Sequence, residues 1–401
     1  MMSRKKILFT LAGLALLALV LVFVIGRTDL FSGFLGQTTP EPSQTEALGV
    51  VQLDPTKTPL TTDPSTPIIE SDPSADSYAC AFNPAVETLQ AEFDADSWVN
   101  WIELLSGAKP VEINGESYTI KTRYTESLFN GDPDARAFEF VHAQLALWGY
   151  EDQITLFAEE YRPVDFETET PWQNLIAVIP GTDPTLADQQ ILLTAHLDSI
   201  NRETEEGLGI APGADDNATG VATLLEAARI FKDMSFKRTI KIIFFSGEER
   251  GLHGSQAYIA AHADEMENVV GVLNLDMFGY DADNDRCFEL HVGMMPDSNQ
   301  LGSCLTDVID LYALNLNYDY LTASAGGASD HSPFWNVDVG AVLVLENFLT
   351  QDEHIGCGEM DRNPNYHTSG DLVSEINVET AFDIAQAALL TTATIAEPIG
   401  D

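Results

Sequence analysis

Six residues of this chain are of the types that bind divalent metals and move protons: His196, Asp216, Glu248, Glu249, Asp276 and His367. Each stands where an apolar run ends or a polar turn begins. Two imidazoles and three carboxylates form a donor set able to hold two zinc-like ions a few ångströms apart, with one Asp bridging them. A further carboxylate beside the pair can take the proton of an attacking water. The set therefore predicts hydrolysis at a two-metal centre.

The elements that must position these groups are legible as periodicity. Leu175–Ile179, Ile191–Ala195, Ile240–Phe245, Val269–Leu275, Phe288–Val292 and Ala341–Leu345 are short apolar runs that read as buried strands. Helical spacing of apolar residues runs over Asp134–Trp148, where Phe138, Val141, Leu145 and Trp148 recur. Val221–Lys232, Gly254–His262, Ser298–Tyr312 and Val378–Ala396 also read as helices. Strands alternating with amphipathic helices predict a sheet covered on both faces. His196 follows one strand directly, Asp276 follows another, and Glu248-Glu249 follow a third after Ser246-Gly247. Open α/β sheets bind ligands beyond the carboxyl ends of their strands, so residues far apart in sequence converge there.

Each motif alone is modest. His196-Leu197-Asp198 places a carboxylate where it can accept the second ring N–H of the imidazole, and Asp198 is expected in that supporting role. Isolated H-x-D pairs are more often hydrogen-bonded loops. Pro212-Gly213-Ala214-Asp215-Asp216-Asn217-Ala218-Thr219-Gly220 is a polar turn running into a helix start, which also suits a simple helix cap. Its Asn217-Ala218-Thr219 matches the N-glycosylation pattern, a match expected to be accidental in a tight turn. Adjacent acids such as Glu248-Glu249 are usually surface charge; behind a buried strand, one can bind metal while its neighbour acts as base. Asp276 ends an apolar strand, where an unpaired charge is costly. In Asn363-Pro364-Asn365-Tyr366-His367, Tyr366 stands beside the last histidine and could donate to an oxyanion. Ser329-Asp330-His331 holds the residue types of a serine hydrolase, but adjacent residues cannot form a triad, and no G-x-S-x-G elbow is present. His142, His253, His262, His291 and His354 have no partner at metal spacing and read as structural or solvated.

From about Lys121 to Ala396 the chain resembles the co-catalytic di-zinc aminopeptidases of peptidase family M28. The resemblance covers Thr122-Arg123-Tyr124 through Gly149-Tyr150, the Asn174–Gly181 segment, and all five ligand motifs in the family's order. It implies that His196 and Asp276 bind one zinc and Glu249 and His367 the other. Asp216, the Asp that begins the D-x-x-[ST]-G frame, would bridge the two ions, and Glu248 would be the general base. A non-proline cis bond is implied at Asp216–Asn217, and the Ser329–His331 segment is implied to lie near the site without ligating. The expected activity is attack of activated water on the first peptide bond of substrates with a free amino terminus, with Tyr366 stabilising the tetrahedral oxyanion. A carboxypeptidase, a one-zinc glutaminyl cyclase and a non-catalytic receptor-like ectodomain are the alternatives on the same scaffold.

Composition narrows the partners. The 401 residues carry 63 acidic and 19 basic side chains; Met1–Ser77 holds 8 and 5 of these, which leaves 55 against 14 for the rest. That surface repels nucleic acid and anionic lipid and favours cationic ligands such as peptides with a free N-terminus, although a solvated acidic face adapted to salt would look the same. The sequence leaves the oligomeric state open.

The amino terminus predicts export. Residues 1–6 form a basic tail expected in the cytoplasm, and residues 7–26 are apolar and long enough to cross a membrane as a signal anchor. Residues 27–77, rich in Thr, Pro and Ser, read as a disordered stalk. The predicted arrangement is a single-pass cell-membrane protein with residues 78–401 outside the cytoplasm, a secreted form after signal cleavage being the alternative. Cys80, Cys287, Cys304 and Cys357 lack C-x-x-C spacing; in an exported protein one or two disulfides fit, with three possible full pairings, and buried free thiols are the alternative. The expected fold is α/β: a single globular domain with a mixed, mostly parallel central sheet covered by helices on both faces, preceded by the anchor and stalk.

Overall fold

A computed structural model describes residues 78–400, except 151, 153, 154, 165, 166, 205, 206 and 350–355. The basic tail, apolar run and stalk lie outside the described residues, as does His354. Among the described residues no helix is long and apolar enough to cross a membrane.

A short hairpin pairs β1 (Val111–Ile113) with β2 (Glu116–Tyr118). The main sheet contains β3 (Leu156–Tyr161), β4 (Trp172–Ile179), β5 (Gln190–His196), β6 (Thr239–Phe245), β7 (Val269–Leu275), β8 (Cys287–His291), β9 (Asn317–Leu321) and β10 (Ala341–Glu346). Its order is β3-β4-β6-β5-β7-β10-β8-β9. The central run β6-β5-β7-β10 is parallel throughout, whereas β3, β4 and β8 join their neighbours antiparallel at β3/β4, β4/β6 and β10/β8. The sheet is thus mixed, with a parallel run at the centre and a second parallel pair, β8/β9, at one edge.

The central strands read as continuous apolar runs because both faces are buried. Ile191 and Leu193 of β5, with Ile240, Ile242 and Phe244 of β6, pack into the larger core under helices Ala95–Leu105, Ala218–Phe231 and Val378–Ala396. The alternate residues Leu192, Ile243, Phe245 and Val272 pack on the other face, against helix His253–Ala261 and the short helix Ser332–Trp335. The helix Ala218–Phe231 lies close to the sheet because its facing residues are small. A Cβ at Gly220 would stand 2.9 Å from the Ala195 Cβ and 3.0 Å from the Leu275 carbonyl, so the glycine of the D-x-x-T-G frame serves close approach.

The structure pairs all four cysteines, Cys80 with Cys304 and Cys287 with Cys357. The first ties the segment ahead of helix Pro84–Glu92 to helix Pro296–Leu311; the second ties the start of β8 to the loop after β10.

Candidate metal centre and active site

The adjacent parallel strands β6, β5 and β7 end on the same edge of the sheet, and their carboxyl ends deliver Glu248-Glu249, His196 and Asp276. Asp216 arrives from the turn before helix Ala218–Phe231, and His367 from a loop after β10. The His196 Nε2 lies 3.0 Å from Asp276 Oδ1 and 3.2 Å from Asp216 Oδ1. The His367 Nε2 lies 3.1 Å from Asp216 Oδ2 and 2.9 Å from Glu249 Oε2. Asp216 therefore faces one imidazole with each carboxylate oxygen. Two donor groups result, His196–Asp216–Asp276 and Asp216–Glu249–His367, each with its ligand-type atoms within 4.8 Å of one another and both sharing Asp216. The peptide bond Asp216–Asn217 is cis.

His196, Asp216, Asp276 and His367 border a cavity of ≈ 80 Å³, lined also by Glu248 and Tyr366. Burial, reinforced by Asp276, Glu249 and Asp330, pushes the Glu248 carboxyl well above the usual carboxylate range, although His196 opposes this. Burial and then Asp216 raise Glu249 to about 7. For His367, burial is outweighed by Asp216 and Glu249, and its pKa rises to about 9. Buried acids crowd two imidazoles here, and a bound cation would relieve the protonation that burial imposes on the carboxyls.

A sequence model of Peptidase family M28 matches residues 174–392, more than half of the chain. The chain belongs to peptidase family M28. Leucine aminopeptidase 1 of Trichophyton equinum is 32% identical over 222 residues, covering 53% of this chain and 55% of that protein. The chain thus spans about half the length of the curated relatives it matches. Among solved structures, the Legionella pneumophila LapA aminopeptidase is similar with a TM-score of 0.61 and 23% identity, over 80% of this chain and 76% of that one. A Bacteroides thetaiotaomicron glutaminyl cyclase is similar with a TM-score of 0.53 and 17% identity, over 76% and 98% of the two chains. At such identities these structures establish a shared fold.

In this M28 chain the donor set fits zinc on its own chemistry: imidazole nitrogens and carboxylate oxygens, buried and convergent. One oxygen supports this directly. Glu249 Oε1 is buried with no hydrogen-bond partner, and such an atom is costly unless a ligand satisfies it.

The supporting groups differ in one respect from the sequence expectation. The second ring nitrogen of His196 bonds to the main-chain carbonyl of Asp198 at 3.0 Å, whereas the Asp198 carboxylate stands 3.7 Å away. That carboxylate accepts the Thr125 hydroxyl at 2.7 Å and the main-chain N–H groups of Glu248 and Glu249, each at 3.3 Å. Asp198 thus positions the paired acids rather than the imidazole.

Ser329 supplies what the serine-hydrolase pattern did not suggest. Its hydroxyl donates to Asp276 Oδ2 at 2.6 Å and accepts from the Asn274 amide at 2.9 Å, fixing the carboxylate; His331 bonds instead to the Gly326 carbonyl at 2.9 Å. Asn217 is fully buried, caps its helix through the Gly220 N–H and donates to the Leu275 carbonyl, so the glycosylation match is accidental in this structure. Tyr366 stacks on His367 with ring centroids 3.6 Å apart. Burial, together with Asp216 and Glu249, pushes its phenol up, which keeps the hydroxyl a donor.

Two buried groups stand outside the ligand motifs. Arg123 spends its guanidinium on carbonyls of Leu197 (2.7 Å), Leu105 (3.1 Å), Pro212 (2.6 Å), Gly213 (2.8 Å) and Asp216 (3.4 Å). It pins the turn of Asp216 to the end of β5. Gly213, at φ +53°, leaves room for this: a Cβ there would meet the Asp216 carbonyl at 2.2 Å and the guanidinium at 2.7 Å. Burial lowers the Arg123 pKa only to about 10, since Asp371, Asp216, Asp198 and Glu249 hold the charge in place. Beneath Asp216, burial and Asp215 push Glu346 well up, so its carboxyl keeps a proton to donate to Asp215. The only signal for Arg123 was its place in Thr122-Arg123-Tyr124. Glu346 directly follows the Ala341–Leu345 run, the same strand-end position as His196 and Asp276, but matched no ligand motif.

Proposed function

We propose that this chain is a metallo-exopeptidase that hydrolyses the first peptide bond of peptides with a free amino terminus. The observation that carries this reading is the division of Asp216 between His196 and His367, which yields two donor groups sharing one carboxylate. His196, Asp216 and Asp276 would hold one zinc, and Asp216, Glu249 and His367 the second. Zinc bound there supplies Lewis acidity and a water that is nucleophilic near neutral pH. Glu248, raised by burial, would take the proton of that water and return it to the leaving amine. Tyr366 would donate to the oxyanion from the cavity wall. The clustered carboxyl groups would receive the substrate's ammonium group, and the apolar wall of Met277, Leu343, Leu345, Phe348 and Leu349 its first side chain.

Relatives named leucine aminopeptidases support the same class. The test is a panel of aminoacyl chromophore amides against N-blocked peptides and N-terminal glutaminyl peptides, with and without chelator. Chelator-sensitive cleavage of free-amine substrates alone is expected. Cyclisation of glutaminyl peptides, or cleavage of blocked ones, would replace this reading with a cyclase or a carboxypeptidase.

The domain is further proposed to work outside the cytoplasm, anchored through residues 7–26. The uncharged run and its preceding basic residues support this, as do two disulfides in the described domain. Protease accessibility of residues 78–401 on intact cells tests it.

A further inference from the structure

We propose that the buried pair Glu289 and His291 decides which N-terminal residue this chain accepts: it holds the two loops that wall the cavity and hides a carboxylate behind an uncharged imidazole. The inference rests on the exopeptidase reading above and adds a determinant of selectivity to it.

Both residues point to one face of β8, two positions apart, and both are fully buried. A carboxylate so placed must have its oxygens satisfied. One oxygen of Glu289 lies 2.9 Å from His291 Nε2, and the other accepts the main-chain N–H of Leu349 at 2.9 Å. The His291 Nδ1 in turn accepts the main-chain N–H of Gly326 at 2.8 Å. That bond assigns the ring proton to Nε2, where it is donated to Glu289. With Nδ1 accepting an N–H the ring is neutral, and burial favours that form by drawing its pKa down to about 4.

Gly326 and Leu349 belong to different loops, one after β9 and one after β10, and both line the cavity together with His291. Each loop takes its position from the same pair on β8. The two loops also meet: a Cβ on Gly326 would lie 3.1 Å from Leu349 Cδ1. Both ring nitrogens of His291 are engaged, so the imidazole offers the cavity neither charge nor open donor. An apolar first side chain is therefore preferred, and a basic one is denied the carboxylate that lies one ring away.

The experiment measures kcat and KM of the zinc-loaded chain on Leu-, Ala-, Phe- and Arg-p-nitroanilides, with zinc content read alongside. In Glu289→Gln the new amide cannot accept from both partners, and the Leu-to-Ala ratio of kcat/KM is expected to fall about tenfold, carried by KM, with zinc retained. His291→Ala uncovers Glu289 and should raise the Arg-to-Leu ratio by about tenfold or more. Gly326→Ala, which leaves the pair intact, should lower Phe and Leu against Ala by crowding Leu349; it keeps the test open should the other variants fail to fold. Unchanged Leu, Ala and Arg ratios in folded, zinc-loaded Glu289→Gln and His291→Ala, or unchanged Phe and Leu preference in Gly326→Ala, overturn the proposal alone. A wild-type chain that binds zinc yet cleaves none of the four amides overturns the exopeptidase reading and this inference with it.

Discussion

The Asp371 carboxylate accepts the main-chain N–H of Asp216 at 3.0 Å, and its other oxygen takes that of Asp215 at 2.9 Å. The residue shared by both donor groups is thus aimed by an acid four positions beyond His367. Loss of Asp371 leaves two buried N–H groups unpaired. Asp371→Ala should weaken zinc binding by about 10–100-fold in a competitive chelator titration. Asp371→Asn, which keeps one acceptor, should fall between the two.

Glu248→Ala tests the division of labour between the adjacent acids. Glu249 faces His367 at 2.9 Å, whereas Glu248 lines the cavity. Activity on a leucyl amide should drop by about 10²–10⁴-fold while zinc content stays at the wild-type level. Wild-type turnover in this variant would remove Glu248 from the mechanism.

Arg123 should matter to stability before it matters to chemistry. Its removal strands the carbonyls that it gathers and leaves a crowd of acids without their central positive charge. Arg123→Met is expected to cost about 3–5 kcal/mol in urea unfolding of the metal-bound chain. Arg123→Lys should recover little, because an ammonium cannot span the planar fork of acceptors.

Zinc removal should destabilise the fold as well as end activity. A ligand present at a thousandfold excess over its dissociation constant stabilises the native state by about 4 kcal/mol. Chelator treatment should therefore lower the melting temperature and abolish cleavage, and zinc should restore both. A melting temperature indifferent to chelator would argue against two convergent donor groups acting as a metal centre.

A pH effect is expected away from the site. His262 lies between Glu159 at 3.1 Å and Glu265 at 3.0 Å, and the hydrogen bond to Glu159 leads in raising its pKa above 6.5. Because the folded value exceeds the unfolded one, the contribution is complete below pH 6.5 and fades as pH rises through the raised value. The melting-temperature gap between wild type and His262→Gln should thus be wider at pH 6 than at pH 9; equal gaps would show that the imidazole is not charged in this network.

Local pattern was enough for the centre of the sheet and for the ends of its strands. Val269–Leu275 and Val378–Ala396 have the same bounds in sequence and structure, because a strand buried on both faces and a long buried helix leave unbroken apolar signals. His196 and Asp276 were identifiable because each directly follows such a run, and Glu249 because it stands in the turn just beyond one. Strands β3 and β9 gave no such signal: LFAEEY and NYDYL lie at the sheet edges, where polar side chains are tolerated.

Only tertiary structure decided how the ligands are held. It gave the second nitrogen of His196 to the carbonyl rather than the carboxylate of Asp198, and Asp276 to Ser329. It also anchored Asp216 on Asp371 and drew His291, which sequence alone left as structural or solvated, into the cavity wall. The physical reason is distance along the chain. These partners meet because the strand order β6-β5-β7-β10-β8 sets neighbouring strand ends side by side, and no local periodicity encodes that order. Residue types at strand ends determined which atoms could bind metal; the crossing of the chain determined which oxygen faces which nitrogen.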